Sequence, residues 1–565
     1  MFKLENILAN EYFPQELPPC FNSEMIAENV EDIRKWITSC NPKQSIPLIY
    51  SGYKSENSRR RFAVPNIFHY FKAACCIVDY SQEIIDITSS SHASLSAPID
   101  KPAETNRPYC KKSNSIQDTK KEIESLYQNN MYCCKLDIES FFDSVYTHTI
   151  SWAMHTQKVA KKSKEETLIG GQLDIAVRAM NYSQTNGVLV GNAISRIISE
   201  IILCTVDKEI QKQFPNLKYR RFVDDYTIFL EDASEIQHVI SFVRNQLGKF
   251  ELALNENKIE ITQSPFLYGK MWVEEIKLFL HLDSEVFLNK AISLFSQYKD
   301  ISILRYALTV ISFHDIKKDE WSHIESKILN LWVRFPSLAD LILEILFDKK
   351  DYLHKSNVKE AIYAVLNRCI PLSQDQEVIW AVWFAKVFSV QLNKQYVIKV
   401  LESSNQLAKI ILLDMISLNI IEKSADVVNA LEDLVNQLYD SDLDENQNPG
   451  NLMWTENWLL AYEADLNKWL NSENKDFNPP RNNVFFKCLI KKRIKFYNTS
   501  FSYLPKQKKT LQYVTRDEFY TYVKKVNQFL LRGTGSKEID NEMLIDVKNL
   551  QKELIEKIES KAFNY

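Results

Sequence analysis

Hydrophobic and polar residues alternate over several short stretches in the first half of the chain. MYCCKLDI (131–138) is predicted to be a strand, and YRRFVDDYTIFL (219–230) to be two short strands around an acidic turn. Between them, GNAISRIISEIILCTVDKEIQKQF (191–214) has helical spacing and contains no helix breaker. Another helix is predicted after Ala233, and LALNENKIEIT (252–262) is predicted to be a loop that leads into a strand. Interleaved strands and helices of this kind predict an α+β domain.

The second half of the chain has the periodicity of helices. From about residue 290, apolar residues recur every three or four positions, which predicts amphipathic helices. Such sets fall within 321–331, 357–368, 376–390, 406–420 and 424–438. Successive helices with polar punctuation predict a helical-repeat array. The loop DSDLDENQNPGN (440–451) would separate this array from a C-terminal helical piece.

Composition and charge narrow the functional classes. The chain of 565 residues is long enough for two to four domains, and its 45% hydrophobic and 25% charged residues are typical of a soluble globular protein. A net charge of −4 means that any contact with nucleic acid must come from local patches. The ten cysteines show no zinc-type spacing, and neither a signal peptide nor a membrane span is evident. We therefore expect a cytoplasmic protein without a membrane partner.

Four residues offer the chemistry of nucleotidyl transfer. Attack of a 3′ hydroxyl on a nucleotide α-phosphate needs two divalent metal ions, which carboxylates on neighbouring strands can hold. Asp137 ends the first predicted strand, and Ile138 beside it would lend a backbone carbonyl. Asp224 and Asp225 lie together at a hairpin tip, where they would repel each other unless cations offset their charge. An isolated acidic pair is more often a solvated turn, so the surrounding motifs decide the interpretation.

Five segments resemble the motifs of reverse transcriptases, in the same order. KLDIESFFDSV (135–145) resembles the first catalytic motif, and QTNGVLVGNAISRIISEIIL (184–203) resembles the second. RFVDDYTIF (221–229) resembles the aspartate-doublet motif, and LNENKI (254–259) the motif that follows it. Upstream, RRRFAVPNIFHYF (59–71) resembles the fingers segment that contacts the triphosphate. The resemblance implies reverse-transcriptase fingers and palm, dNTP substrates, and Mg²⁺ or Mn²⁺ as the cofactor.

The same resemblance implies roles for individual residues. Asp137, Asp224 and Asp225 would be the catalytic, metal-binding aspartates. Phe142 would stack under the sugar and exclude a 2′ hydroxyl, and Lys258 would lie near the pyrophosphate. The other expected nucleotide-binding residues are Arg60, Arg61, Gln184 and Gly191.

One group of reverse transcriptases is especially similar. YFPQELPPCF (12–21), SVYTHTISWAMH (144–155) and GNAISRIISE (191–200) resemble bacterial defence-associated reverse transcriptases of the abortive-infection type. This resemblance implies anti-phage defence and untemplated synthesis of single-stranded DNA, primed by a protein tyrosine to which the product stays attached. It also implies a homo-oligomer, a trimer or hexamer, with RNA as a further candidate partner. Tyr50 and Tyr53 are the candidate primers, although a packing role is the stronger interpretation of each tyrosine taken singly.

Four regions follow from the pattern and the resemblance together. Residues 1–50 are expected to pack on the fingers, and 51–280 to form fingers and palm. Residues 290–440 are expected to form a HEAT-like α-helical repeat domain in place of a thumb, and 452–565 a C-terminal helical region. The predicted fold class is therefore an α+β reverse-transcriptase fingers and palm followed by an all-α domain.

Two other functions remain open at this stage. A conventional RNA-templated reverse transcriptase of a mobile element would need a thumb and a template-binding domain after the palm. A catalytically dead scaffold would have no reason to keep three clustered carboxylates. Two further features have more than one interpretation. His148 and His155 flank the first motif, and packing or helix capping is a stronger interpretation of them than a catalytic role. LIKKRIKFYNTSFSYLPKQKK (489–509) fits a site for single-stranded nucleic acid or a solvated amphipathic helix equally well.

Overall fold

The computed structural model describes most of the chain up to residue 501, namely 1–55, 58–98, 122–266, 270–280, 283–313, 316, 318–444, 446–448, 450–472 and 476–501. These residues belong to two compact units. The first unit draws on Met1–Ser113, Ser125–Phe266 and Leu366–Phe501, and the second on Asn114–Glu124 and Leu267–Val365. The predicted helical region after residue 501 lies outside the described residues.

The strands of the first unit form two antiparallel sheets. A two-stranded hairpin pairs β1 with β2, and a four-stranded sheet has the order β4-β5-β3-β6. The strands are β1 (Leu48–Ser55), β2 (Ser58–Val64), β3 (Tyr132–Asp137), β4 (Lys218–Phe222), β5 (Asp225–Leu230) and β6 (Glu260–Gln263). The strands predicted within 131–138 and 219–230 are confirmed. The strand predicted at the end of the 252–262 segment is also confirmed, as β6.

Helices surround these sheets in the N-terminal half of the first unit. They are α1 (Leu4–Ala9), α2 (Glu24–Glu28), α3 (Val30–Trp36), α4 (Ile67–Asp79), α5 (Ser81–Ser89), α6 (Phe141–Ser144), α7 (Thr149–His155), α8 (Gln157–Ala160), α9 (Ile169–Ala179), α10 (Ala193–Gln213) and α11 (Ala233–Gly248). The predicted helix within 191–214 is α10, which begins after Asn192, whose side chain accepts a hydrogen bond from the Ser195 N–H. Burial on most sides of α10 explains its weak amphipathic pattern.

The second unit is helical throughout its described part after residue 270. Its helices are α12 (Met271–Lys277), α13 (Ser284–Tyr298), α14 (Ile301–Ile311), α15 (Lys318–Arg334) and α16 (Ala339–Asp348). The predicted periodicity within 321–331 corresponds to the buried side of α15. Residue 365, the end of the second unit, lies within α17 (Lys355–Cys369).

The remaining helices belong to the first unit and follow α17 in the chain. They are α18 (Asp375–Val387), α19 (Lys394–Glu402), α20 (Gln406–Ser417), α21 (Ala425–Asp442), α22 (Trp458–Asn467) and α23 (Val484–Lys492). Helix α18 is buried nearly all round, which agrees with its apolar sequence. The described part of the C-terminal half is therefore mostly helical, as predicted. The compact units, however, divide near residue 365, because Leu366–Phe501 packs with the N-terminal part of the chain.

An aromatic contact and a hydrogen bond from a side chain to the backbone join the N-terminal segment to the residues after β2. The Tyr12 hydroxyl donates to the Pro65 carbonyl at 2.6 Å, and the Tyr12 ring packs edge-on against Tyr70.

Each cysteine in the described ranges is a free thiol. Among the described helices, none combines the length and the apolarity that a membrane span requires.

Candidate active site

The three predicted catalytic aspartates meet at one end of the four-stranded sheet. Asp137, the last residue of β3, is directly opposite Asp225, the first residue of β5. Asp224 precedes Asp225 in the tight turn from β4, where Val223 adopts a left-handed φ of 51°. Side chains directly opposite in an antiparallel pair have Cβ atoms about 4.5–5.5 Å apart. Strand pairing thus places three carboxylates side by side.

Residues of the next loop hold Asp137 in place. The Lys258 ammonium forms an ion pair with Asp137 Oδ2 at 2.9 Å, and the Asn255 N–H donates to the Asp137 carbonyl at 2.8 Å. Ile138 is buried and forms an isolated antiparallel β-bridge with Leu254. The backbone hydrogen bonds of this bridge are made by the residues on either side of Ile138, namely Asp137 and Glu139. Lys258 therefore lies at the carboxylate cluster, the position expected of a residue near the pyrophosphate.

Burial and the crowding of like charges raise the pKa of two of these carboxylates. Loss of hydration by burial, followed by the charges of Asp224 and Asp137, raises the pKa of Asp225 to about 6, although Asp225 keeps an exposed face. Burial also raises the pKa of Asp224, and Asp137 adds to that rise. Arg60 and Lys258 act in the opposite direction on the pKa of Asp224. The cluster thus carries more negative charge than its nearby cations balance.

A hard divalent cation fits this donor set. Magnesium and manganese prefer carboxylate oxygens, and a bound cation would offset the mutual repulsion of the three carboxylates. Asp137, Asp224 and Asp225 would supply side-chain oxygens, and Ile138 is the candidate for a backbone carbonyl. The pKa of Asp225, about 6, leaves it mostly ionised at neutral pH and available as a ligand.

The predicted nucleotide-binding loop packs against α6, the helix that carries Phe142. The Val188 N–H donates to the Phe142 carbonyl, and the Gly187 N–H donates to the Val145 carbonyl, both at 2.8 Å. Gln184 is exposed at the start of this loop. Gly191 has a φ of 101°, and a Cβ there would lie 2.6 Å from Pro14 Cγ. The lack of a side chain at Gly191 therefore serves packing of the N-terminal segment.

The three consecutive arginines of β2 have different environments. Arg59 makes a bidentate ion pair with Glu377, which is almost fully buried, and also donates to the Ser51 carbonyl at 2.9 Å. Arg60 and Arg61 are exposed, and the charge of Arg60 reaches the carboxyl of Asp224. Arg60 and Arg61 are therefore available to a phosphate, whereas Arg59 anchors the hairpin.

The two candidate priming tyrosines lie on β1, the strand that pairs with β2. Tyr50 is 2% exposed and stacks on Phe62, and its hydroxyl has no hydrogen-bond partner among the described residues. Tyr53 is half-buried and pairs with Arg59 in the β1–β2 register. Side chains at the start of α18 hold this edge of the hairpin, since the Tyr53 N–H donates to Gln376 Oε1 at 2.8 Å. Tyr50 would have to leave its pocket to act as a primer.

Comparison with known families agrees with the site. Residues 89–277 match the family described as reverse transcriptase (RNA-dependent DNA polymerase). This segment is a reverse-transcriptase domain. The match includes the three aspartates and Lys258, and it implies a nucleotidyltransferase of the DNA polymerase class. Among curated proteins, no match to the chain is found.

Solved telomerase structures share a distant likeness with the chain. Apo telomerase from Candida tropicalis, truncated from its C-terminal domain, is 13% identical over 43% of this chain and 56% of that one, with a TM-score of 0.30. Telomerase from Candida albicans, in complex with a fragment of telomeric RNA, is 12% identical over 69% of this chain and 68% of that one, with a TM-score of 0.29. The chain thus spans little more than half of the first of these proteins. Likenesses this weak add nothing to the functional interpretation.

Sequence inspection missed a buried polar cluster under the aspartate turn of the reverse-transcriptase domain. Arg221 is fully buried and forms ion pairs with Glu200 and Asp207 of α10. The serines of the loop after α5 complete the cluster: Ser91, Ser94 and Ser96. One signal could have revealed it, because Glu200 and Asp207 are charged residues seven positions apart, on one face of a helix whose central part is mostly apolar.

A second polar cluster of the reverse-transcriptase domain surrounds His148. His148 Nδ1 lies 2.6 Å from Asp174 Oδ2 and 3.3 Å from Glu165 Oε1. Arg178 binds both carboxylates, through Nε to Asp174 at 3.0 Å and Nη2 to Glu165 at 2.6 Å. Three such groups could hold a metal ion, but Arg178 already balances their charge. The cluster instead joins α7 to α9, which accords with the interpretation of His148 as a packing residue.

Proposed function

We propose that this chain is a DNA polymerase of the reverse-transcriptase type that acts in anti-phage defence. One observation carries the polymerase part: Asp137 and Asp225 face each other across two paired strands, with Asp224 beside them, inside a reverse-transcriptase domain. Carboxylates so placed can hold two divalent ions. The defence role rests on the resemblance of the 12–21, 144–155 and 191–200 segments to abortive-infection reverse transcriptases.

Residues around the aspartates have the chemistry that a dNTP requires. The exposed guanidinium groups of Arg60 and Arg61 can bind phosphate oxygens in pairs. Lys258, in contact with Asp137, is close enough to the carboxylates to stabilise a leaving pyrophosphate. Phe142 is partly exposed on α6, where its ring can stack under a deoxyribose and exclude a 2′ hydroxyl. When bound, Mg²⁺ or Mn²⁺ would activate the attacking hydroxyl and neutralise charge on the triphosphate.

The proposal includes untemplated synthesis of single-stranded DNA that begins on a tyrosine of the protein itself. Tyr50 and Tyr53 are the candidates, because β1 pairs with the strand whose Arg60 electrostatically reaches Asp224. The C-terminal helices, in this proposal, form HEAT-like repeats in place of a thumb, and the active protein is a trimer or hexamer in a bacterial cytoplasm. Single-stranded DNA, attached to the protein, would be the product, and RNA is a further candidate partner.

A conventional RNA-templated reverse transcriptase of a mobile element is the second candidate function. The family description, RNA-dependent DNA polymerase, favours it. The two functions differ in what they require: a template and a primer for the conventional enzyme, and neither for the defence polymerase.

The test is to incubate nuclease-treated protein with each labelled dNTP and Mg²⁺ or Mn²⁺, without added primer or template. We expect label that remains with the protein band after denaturation. Asp224→Asn with Asp225→Asn should abolish it. No incorporation under these conditions, together with extension of a primed RNA, would assign the chain to the conventional class. Full phage protection by the double variant would instead indicate a scaffold.

Tyrosine variants identify the primer. Tyr50→Phe and Tyr53→Phe each remove one hydroxyl, and Tyr352→Phe is the matched control, since Tyr352 is an exposed tyrosine of the second unit. We expect one hairpin variant to lose the protein-linked label while it still extends an added DNA primer. Retention of the label by both hairpin variants, singly and combined, would exclude these two residues as primers.

A further inference from the structure

The backbone of Val223, immediately before the aspartate pair, is held on both sides by buried side chains. The Val223 N–H donates to Ser96 Oγ at 2.8 Å, and its carbonyl accepts from Arg221 Nη1 at 2.9 Å. That carbonyl belongs to the peptide unit that carries the Asp224 N–H. The two hydrogen bonds therefore fix the peptide planes on either side of Val223, and with them the direction in which the turn presents Asp224.

Val223 needs such support because of its conformation. Its φ of 51° lies in the left-handed region, which is disfavoured for a β-branched residue. Conformations of this kind persist only where the surrounding structure determines them. Here the surroundings are Ser96 and Arg221, both almost fully buried, so water cannot easily take the place of either partner.

The placement of Ser96 is itself determined by the cluster. Its hydroxyl donates to Glu200 Oε1 at 2.7 Å, and Arg221 Nη1 donates to the same oxygen at 2.9 Å. Glu200 thus orients both groups that hold Val223. Burial opposes its charge, but the charge of Arg221 and the hydrogen bonds from Arg221, Ser94 and Ser96 hold the pKa of Glu200 below its usual value. The carboxylate therefore stays ionised and available as an acceptor.

Backbone pairing brings the serine loop to this position. The Arg221 N–H donates to the Ala93 carbonyl at 2.9 Å, and the Leu95 N–H donates to the Arg221 carbonyl at 2.8 Å. Ser94 and Arg221 thus form a parallel bridge at β4. Ser94 Oγ donates to the other carboxylate oxygen of Glu200, Oε2, at 2.7 Å. The acceptor of the Val223 N–H, however, is the hydroxyl of Ser96 and not that of Ser94.

We propose that Ser96 is a positioning residue for the catalytic metal site: with Arg221, it fixes the Val223 peptide units and so aims Asp224 and Asp225 at the bound cation. The proposal rests on the polymerase function proposed above. It predicts that the loss of the Ser96 hydroxyl weakens metal binding and slows chemistry without weakening dNTP binding.

Ser96→Ala and Ser94→Ala form a matched pair for the test. Both serines are 1% exposed, and each variant removes one hydrogen bond to Glu200. Ser94→Ala also removes the acceptor of the Ser96 N–H, which lies 3.2 Å away, but only Ser96→Ala removes the acceptor of the Val223 N–H. Mn²⁺ binding to the full chain is titrated by electron paramagnetic resonance, with Asp225→Asn to define the binding that belongs to this site. dNTP incorporation gives kcat and KM, and thermal unfolding gives Tm.

We expect Ser96→Ala to raise the Mn²⁺ dissociation constant about fivefold or more and to lower kcat about tenfold, with the dNTP KM within about twofold of wild type. Ser94→Ala should stay within about twofold of wild type in all three quantities, at a similar loss of Tm. Equal effects of the two variants would show that the cluster is merely structural and overturn the proposal, as would wild-type metal binding and kcat in Ser96→Ala.

Two further outcomes are distinguished. If Ser96→Ala does not fold, Ser96→Cys is measured instead, because a thiol keeps the volume but is a weak acceptor, and wild-type metal binding by that variant overturns the proposal. If the wild-type chain binds Mn²⁺ but incorporates no dNTP under any condition, the polymerase function fails while the metal titration still decides the role of Ser96. Absence of Mn²⁺ binding at this site in the wild type overturns both.

Discussion

Asp137 and Asp225 are cross-strand neighbours at the end of the β3–β5 ladder, and Lys258 forms an ion pair with only the first of them. Burial, followed by the charges of Asp224 and Asp137, raises the pKa of the second carboxyl to about 6. The raised pKa means that ionised Asp225 lowers the free energy of unfolding at neutral pH. A cation bound at the carboxylates would offset this cost. The predictions below follow from this arrangement and from the contacts that surround it.

Asp225→Asn should stabilise the metal-free protein while it abolishes polymerase activity. A carboxyl whose pKa rises on folding costs no stability below about pH 4, where it is protonated in both states. Between about pH 4 and 6 the carboxyl keeps its proton in the folded state but has lost it in the unfolded state, so the cost grows over this interval and is complete above pH 6. We expect the Tm advantage of Asp225→Asn over wild type to be absent near pH 4, to grow as the pH rises and to level off above pH 6.

The measurement is thermal unfolding in chelator from pH 4 to 8, with dNTP incorporation in parallel. Added Mg²⁺ should raise the Tm of the wild type more than that of the variant, since the cation offsets the repulsion. Incorporation should fall about 100-fold or more. A Tm difference that is independent of pH would contradict the electrostatic cause.

Lys258→Ala should bind Mn²⁺ more tightly than wild type and yet polymerise more slowly. The ammonium of Lys258 competes with a metal ion for Asp137 Oδ2, so its removal frees that oxygen. The same substitution removes the cation expected at the pyrophosphate, which should lower kcat about tenfold or more. Mn²⁺ titration and steady-state kinetics measure the two effects. Lys135→Ala is the control, since Lys135 pairs with Glu260 on the exposed side of the same sheet; it should change neither quantity.

Arg59→Ala and Arg61→Ala should separate stability from substrate binding. Arg59→Ala leaves the buried Glu377 carboxylate without its partner and should destabilise the fold by about 3 kcal/mol. Arg61→Ala removes an exposed guanidinium, so it should leave Tm nearly unchanged and raise the dNTP KM roughly tenfold. Denaturant unfolding and initial-rate kinetics are the measurements. A KM near the wild-type value in Arg61→Ala would remove this arginine from the nucleotide site.

Gly191→Ala should destabilise the N-terminal packing. A Cβ at this position would lie 2.6 Å from Pro14 Cγ and 3.2 Å from Phe62, and the φ of 101° is strained for alanine. We expect a loss of about 2 kcal/mol in the free energy of unfolding. Gly248→Ala at the end of α11 is the control, because a Cβ there meets nothing within 4 Å; it should be neutral or stabilise by about 0.5 kcal/mol. Equal stability of the two variants would show that Pro14 can move aside.

The elements that position the site were largely predictable. Strands β3, β4 and β5 and helix α10 follow from hydrophobic periodicity, which reports local structure, and the turn at Asp224 follows from two acids between apolar runs. Motif order along the chain pointed to Asp137 as the third carboxylate, although it lies far from the doublet in sequence. The Asp224–Asp225 turn and its flanking strands were therefore determined by the sequence itself.

Other features depend on partners that are distant in the chain. Ser96 and Val223 are 127 residues apart, and Arg59 and Glu377 are 318 residues apart, so no periodicity or local spacing connects them. Tertiary packing also decided which of three adjacent arginines is anchored and that Tyr50 is buried. The two hydrogen-bonded contacts share a physical reason: burial makes an unpaired polar group costly, so each acquires a partner from whichever segment the fold brings near.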